Sequence, residues 1–134
     1  MYAEQGLLTE LLADTDLTAH VGERIYYVVA PQTAQTPYIV FFKVDSTPVM
    51  SHQGNSHFER ARFQFDIYHT TLYECKQIAE HLQAKLQGLN ELIGTGDAVR
   101  VEGILYLGES QFYENEDNAK LFHLVEDYEV PYET

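Results

Sequence analysis

Arg60-Ala-Arg-Phe-Gln-Phe-Asp-Ile-Tyr68 alternates without a break. Ala61, Phe63, Phe65 and Ile67 fall on one side, and Arg60, Arg62, Gln64 and Asp66 on the other. A period of two with one apolar side is the mark of a strand with one face buried. The strand reads from 58 to 69. Directly after it, Thr71-Leu-Tyr-Glu74 has the form of a capping box, in which the Thr hydroxyl takes the Glu74 backbone N–H and Glu74 reaches back. Leu72, Cys75, Ala79, Leu82 and Leu86 then recur at helical spacing, and Gly88 stands near the stop, so 73–87 is a helix.

Working toward the start, residues 38–45 are apolar on both faces, which suits a strand covered on both sides. Residues 24–29, rich in Ile, Tyr and Val, read as another strand that Pro31 ends. Leu7, Leu8, Leu11 and Leu12 form a stripe in a helix over 2–13, and Leu17 to Val21 adds a further turn closed by Gly22. The segment 46–57 carries Pro48, Gly54 and Asn55 with no periodicity, so it reads as a long flexible loop whose apolar anchors are Val49 and Met50. Working toward the end, Asn90 to Asp97 reads as a turn, 98–107 as a strand, Ser110 to Asn118 as a loop or hairpin end, and 120–130 as a strand. In that last strand Phe122, Leu124, Tyr128 and Val130 share a face that Glu126 interrupts, which predicts a bulge or an exposed edge there. The whole predicts one α+β domain over 1–134, a mostly antiparallel sheet of about five strands with two helices packed on one face.

The chain has 134 residues and one cysteine, so it holds no intrachain disulfide. No apolar run approaches a membrane span, and Met1-Tyr-Ala-Glu-Gln5 is not a signal peptide. Charge is lopsided: 21 acids against 8 bases give a net of −13. Residues 97–134 hold ten acids and two bases, a net of −8. Such a chain repels nucleic-acid phosphates and does not grip DNA by counterion release. There are ten Tyr and seven Phe but no Trp, a usage that fits a half-exposed sheet face or an interface.

Catalytic signatures are not found. Six histidines (His20, His52, His57, His69, His81, His123) are scattered, and His52 and His57 lack the spacing of a helical zinc site. Gly94-Thr-Gly-Asp97 lacks the Lys-Ser/Thr of a phosphate loop. Cys75 lies on the apolar stripe of its helix and reads as core. No catalytic residue, cofactor site or metal site is assigned. Arg60 and Arg62 are two of eight bases on one side of one strand in an acidic chain. Their partner is either a cross-strand acid or an acidic patch on a neighbouring copy.

The order of the parts is itself informative. Leu7-x-x-x-Leu11 is followed by Leu17 and Val21, then Gly22-x-Arg-Ile-Tyr26, Ala30-Pro31 and Pro37-Tyr38. Arg60-x-Arg62 with Phe63 to Tyr68, the helix from Leu72 to Leu86, Tyr113-Glu114 and the strand His123 to Val130 complete the series. In this layout the chain resembles the tail-completion (tail-terminator, tail-to-head joining) proteins of long-tailed bacteriophages. The resemblance implies a non-enzymatic virion protein at the head–tail interface, assembled in the host cytoplasm. It implies a ring, usually of six subunits, whose partners are other copies of itself, the tail tube protein and a head connector or stopper protein. DNA passes its lumen without being gripped, and no membrane is involved. Within such a ring the loop residues Val49, Met50, His52 and His57, with Arg60 and Arg62, are candidate subunit or partner contacts. Glu109, Glu114, Glu116 and Asp117 are candidates for an acidic lumen or rim. Two other classes stay open: a monomeric binding module or another connector component, and a small enzyme gathering histidines and carboxylates in a pocket.

Overall fold

The computed structural model describes residues 2–51, 54–96, 98–116 and 119–133, with 51, 54–57, 115, 116 and 119 described through their backbone. The elements are α1 (Ala3–Ala13), α2 (Thr15–Val21), β1 (Ile25–Tyr27), β2 (Tyr38–Ser51), β3 (Gly54–His69), α3 (Leu72–Leu86), β4 (Asn90–Ile93), β5 (Val99–Glu102), β6 (Leu105–Glu116) and β7 (Ala119–Glu133). The strands form one sheet in the order β1-β2-β3-β7-β5-β4, with β6 pairing β7 beside β5. Every pairing is antiparallel except β1 with β2. The fold is α+β as expected, but among the described residues the sheet has seven strands rather than about five, and there are three helices rather than two.

Residues Ala61, Phe63, Phe65 and Ile67 of β3 are all buried against the helices, as their alternation requires. Ile39 and Phe41 of β2 and Leu124, Tyr128 and Val130 of β7 lie on the same side and join Leu7, Leu11, Leu17, Ile78, Leu82 and Leu86 in one core. Helix α2 exists because Asp14 caps it, its carboxylate accepting the N–H of Asp16 at 3.0 Å and of Leu17 at 3.2 Å. Thr71 caps α3 by accepting the Glu74 N–H at 3.4 Å. The other half of that capping box is absent, because the Glu74 carboxylate pairs with His69 Nε2 instead. Helix α1 approaches β4 so closely that a Cβ on Gly6 would stand 2.9 Å from Ile93 Cγ1.

Residues 46–51 and 54–57 of the expected loop are strand. Strand β2 continues to Ser51 and β3 starts at Gly54, with Thr47 opposite Arg60 and Val49 opposite Phe58. The ribbon lacks a clean apolar period because it runs past the body of the sheet: β7 pairs β3 only as far as Phe58–Glu133. Pro48 is tolerated since β1 covers β2 only at residues 39–41, leaving an edge where no N–H is needed. His52 lies outside the described residues, and so does the side chain of His57. At the other end of the sheet, β6 and β7 also run on together beyond His69–Phe122, as far as Glu116–Ala119. The expected loop at 110–118 is thus strand through Glu116, and the expected turn at 90–97 contains β4.

Glu126 forms neither a bulge nor an exposed edge. It sits in the middle of β7, paired with Phe65 and Glu109 on either side, and is 1% exposed. The Tyr128 hydroxyl donates to its Oε1 at 3.2 Å. Burial pushes its carboxyl up to about 7, against the opposing hydrogen bonds from Tyr128 and Tyr106. The bulge is on β6 instead, between Tyr106 and Gly108.

Candidate assembly surface

The helices cover one side of the sheet and leave the other open. Register gives the open side as a grid. One row runs Thr47, Arg60, Pro131; the next runs Asp45, Arg62, Glu129, Leu105; then Phe42, Gln64, Asp127; then Tyr26, Val40, Asp66, Val125, Ser110; and last Tyr38, Tyr68, His123, Phe112. The last row is an aromatic stripe. Tyr38 stacks on Tyr68 at 4.9 Å, Tyr68 on His123 at 4.2 Å, and Phe112 tilts against His123 at 5.7 Å. Tyr26 extends it to the β1 edge, edge-on to Tyr38 at 6.3 Å. Burial, with Asp66, Tyr38 and Glu114 nearby, pushes the Tyr68 hydroxyl up to about 12. His123 lies between carboxylates, its Nε2 3.5 Å from Asp66 and its Nδ1 3.8 Å from Glu114.

The charged rows hold the two arginines. Arg62 donates to Asp127 across the strands at 3.0 Å, the cross-strand alternative weighed from the sequence. Arg60 is exposed and, among the described residues, has no ion pair. Both border a groove of about 300 Å³ with Asp45, Thr47, Leu107 and Glu129. Val49 is half-buried opposite Phe58, and Met50 is exposed at the far end of the ribbon. Of the four candidate lumen acids, Glu109 and Glu114 are exposed on opposite sides of β6. Glu109 is on the helix side, 3.3 Å from Lys76 of α3, while Glu114 is on the open side beside His123. They therefore do not share one wall. Asp117 and the side chain of Glu116 lie outside the described residues.

A second cavity, of about 680 Å³, opens between the start of α1 and the β5–β7 end of the sheet. Part of its lining is joined in one hydrogen-bonded network. Lys43 pairs with Glu4 at 2.9 Å and donates to the Tyr132 hydroxyl at 3.0 Å, which donates to Glu59 at 2.7 Å. Hydrogen bonds from Tyr132 and Ser46 hold the Glu59 carboxyl below its ordinary value. No histidine lines either cavity among the described residues.

Two features were not foreseen from the sequence. Strand β1 stops at Tyr27 because Val28 takes φ +72°, a left-handed conformation that β-branched residues resist. The Val29 N–H donates to Tyr27 C=O at 2.9 Å, closing a strained γ-turn, and the Val28 N–H donates to Phe41 C=O at 2.9 Å. Val28 and Val29 are 59% and 73% exposed. Across the sheet from that turn, β6 exposes Leu105, Leu107, Phe112 and Tyr113. Hydropathy alone makes these residues look like core.

The family model for tail completion protein gp17 matches residues 5–133. The chain belongs to that family. As a tail completion protein it is a structural component of a phage tail, and the match spans every element from α1 to β7. Its fold is also that of a chain in the virion of a native gene transfer agent particle. That chain is 19% identical, with a TM-score of 0.72 over 93% of this chain and 90% of the other. A second solved chain matches at a TM-score of 0.52 and 17% identity, over 89% and 87% of the two chains. No curated protein sequence matches. Among the described residues of this tail completion protein, no three His, Cys, Asp or Glu side chains gather as a metal would need.

Proposed function

We propose that this tail completion protein closes the head-proximal end of the tail tube as a ring of identical copies, six being the expected number. The ring ends tube polymerisation and forms the joint with the head connector or stopper. The family match over residues 5–133 carries the reading. Charge supports a passive channel. The open side of the sheet sets Asp45, Asp66, Glu114, Asp127 and Glu129 against Arg60 and Arg62. Turned inward, that side repels phosphates and lets DNA slide.

The test is complementation of tails made without this protein. The proposal expects tails of uncontrolled length that do not join heads, and recovery of both when the purified chain is supplied before assembly. Electron microscopy reads both outcomes. Tails of normal length that join heads in its absence would overturn the proposal.

A further inference from the structure

We propose that the ring is closed by one repeated contact. In it, the Tyr27–Val28–Val29 turn of one copy packs over Leu107 on the exposed side of β6 in the next, with Arg24 beside Phe112. The inference rests on the ring reading above and adds the interface.

Three observations carry it. The first is the residue at the turn. Glycine adopts φ +72° freely, and Asn or Asp tolerate it; valine resists it. The fold alone does not ask for valine there, since the side chain is exposed and its backbone is held by hydrogen bonds any residue makes. An apolar side chain kept at a strained, wet position is explained by a contact made outside the chain.

The second is the opposite edge. Strand β6 is twelve residues long and, among the described residues, has no strand on its outer side. Long edges are usually blunted by charge, proline or shortness. This one carries exposed Glu109 and Glu114 and a bulge at residue 107, and still exposes Leu105, Leu107, Phe112 and Tyr113 around them.

The third is register. Tyr27 stands level with Phe41, Phe65, Glu126 and Glu109 across the sheet, and Ile25 with Ile39, Ile67, Leu124 and Gln111. Val28 and Val29 follow Tyr27 and so lie at the level of Gly108 and Leu107. Arg24 precedes Ile25 and lies at the level of Phe112. Strand β1 runs with β2, and β2, β3, β7 and β6 alternate in direction, so β1 and β6 are antiparallel. A copy moved sideways without turning over thus sets valines against Leu107. It also sets Arg24, which bonds Pro37 C=O but no carboxylate among the described residues, near Phe112 and Glu114. Charge complementarity matters in a chain of net −13. Two different patches on opposite edges make a heterologous contact, the kind that closes into rings.

The experiment compares wild type, Val28→Gly and Val29→Asp on tails made without this protein. It also mixes Val29→Cys copies with Leu107→Cys copies under mild oxidation. Val28→Gly is expected to keep or raise the thermal midpoint, since the strain is relieved, while needing roughly tenfold more protein to form rings. Val29→Asp is expected to fold as wild type and form none. The cysteine pair is expected to give disulfide-linked dimers only in the mixture. Copies bearing Val29→Cys mixed with Tyr73→Cys, at an exposed position of α3, are expected to give none. Rings from Val29→Asp at wild-type concentration, or no cross-link within rings, would overturn this interface and leave the ring standing. Wild-type protein that never forms a ring on tails would overturn both.

Discussion

At the scale of single residues, Glu126 makes stability depend on pH. Its carboxyl is raised to about 7 because burial penalises the anion. The fold therefore favours the protonated form. That contribution is present in full below the unfolded carboxyl's value of 4.5 and is lost as pH rises toward 7. The size is roughly 3 kcal/mol if the whole gap is realised. Glu126→Gln keeps the shape without the charge. Urea unfolding is expected to show the variant more stable than wild type at pH 8 and nearly equal at pH 5. Parallel pH profiles for the two would show that Glu126 does not titrate in this way. Gly6 gives a second residue-scale outcome. Alanine favours a helix by up to about 1 kcal/mol over glycine. Here the new Cβ meets buried Ile93 at 2.9 Å and its carbonyl oxygen at 3.3 Å. The clash wins, and Gly6→Ala is expected to destabilise by about 1–3 kcal/mol in thermal or urea unfolding.

At the scale of elements, the β2–β3 ribbon past Val49–Phe58 pairs with no other strand of the sheet among the described residues. Replacing Met50 to His57 by a two-residue Asn-Gly turn is therefore expected to change stability by less than about 1 kcal/mol, measured by urea unfolding. A loss of several kcal/mol would mean that the ribbon packs on the body of the protein. The same ribbon shows what the sequence makes legible. Strand 58–69 and helix 73–87 were readable because burial on one side imprints a period, and Thr71 marks a start. Residues 46–50 and most of β6 are held by backbone pairing and lack one fully buried face among the described residues, so no period forms and the turn-like residues dominate the reading. Glu126 misled for a related reason: a buried acid next to two tyrosines reads as polar. Of the candidate contacts, the cross-strand partner of Arg62 was within reach of strand logic, because alternation sets its side. The Val28 turn was not, since nothing in Tyr-Tyr-Val-Val announces a left-handed residue.

At the scale of the whole molecule, net charge opposes association. Bringing copies at −13 together is costly at low salt, and the Debye length shrinks from about 30 Å at 0.01 M to about 10 Å at 0.1 M. Association of copies with one another is therefore expected to strengthen as salt rises across that range, read by sedimentation of the free chain. Duplex DNA is expected to pass a low-salt shift assay unretained by the free chain. Weaker assembly with added salt, or tight DNA retention, would contradict the charge argument.

The two overrunning ribbons leave the sheet at opposite ends. A ring built from this chain by rotation alone therefore has two unlike rims. Among the described residues, one is edged by 46–51 and 54–58, which contain no Asp, Glu, Lys or Arg; the other is edged by 114–116, 119 and 120, which contain two acids and one lysine. The joints made at those rims would answer to different solvents. A neutral rim holds or releases by apolar contact and shrugs off ionic strength, whereas an acidic rim needs a cationic mate and loosens when salt is added. A salt step on finished particles would then open the joint at the acidic rim and spare the neutral one, and the cut end would tell which rim faces the head.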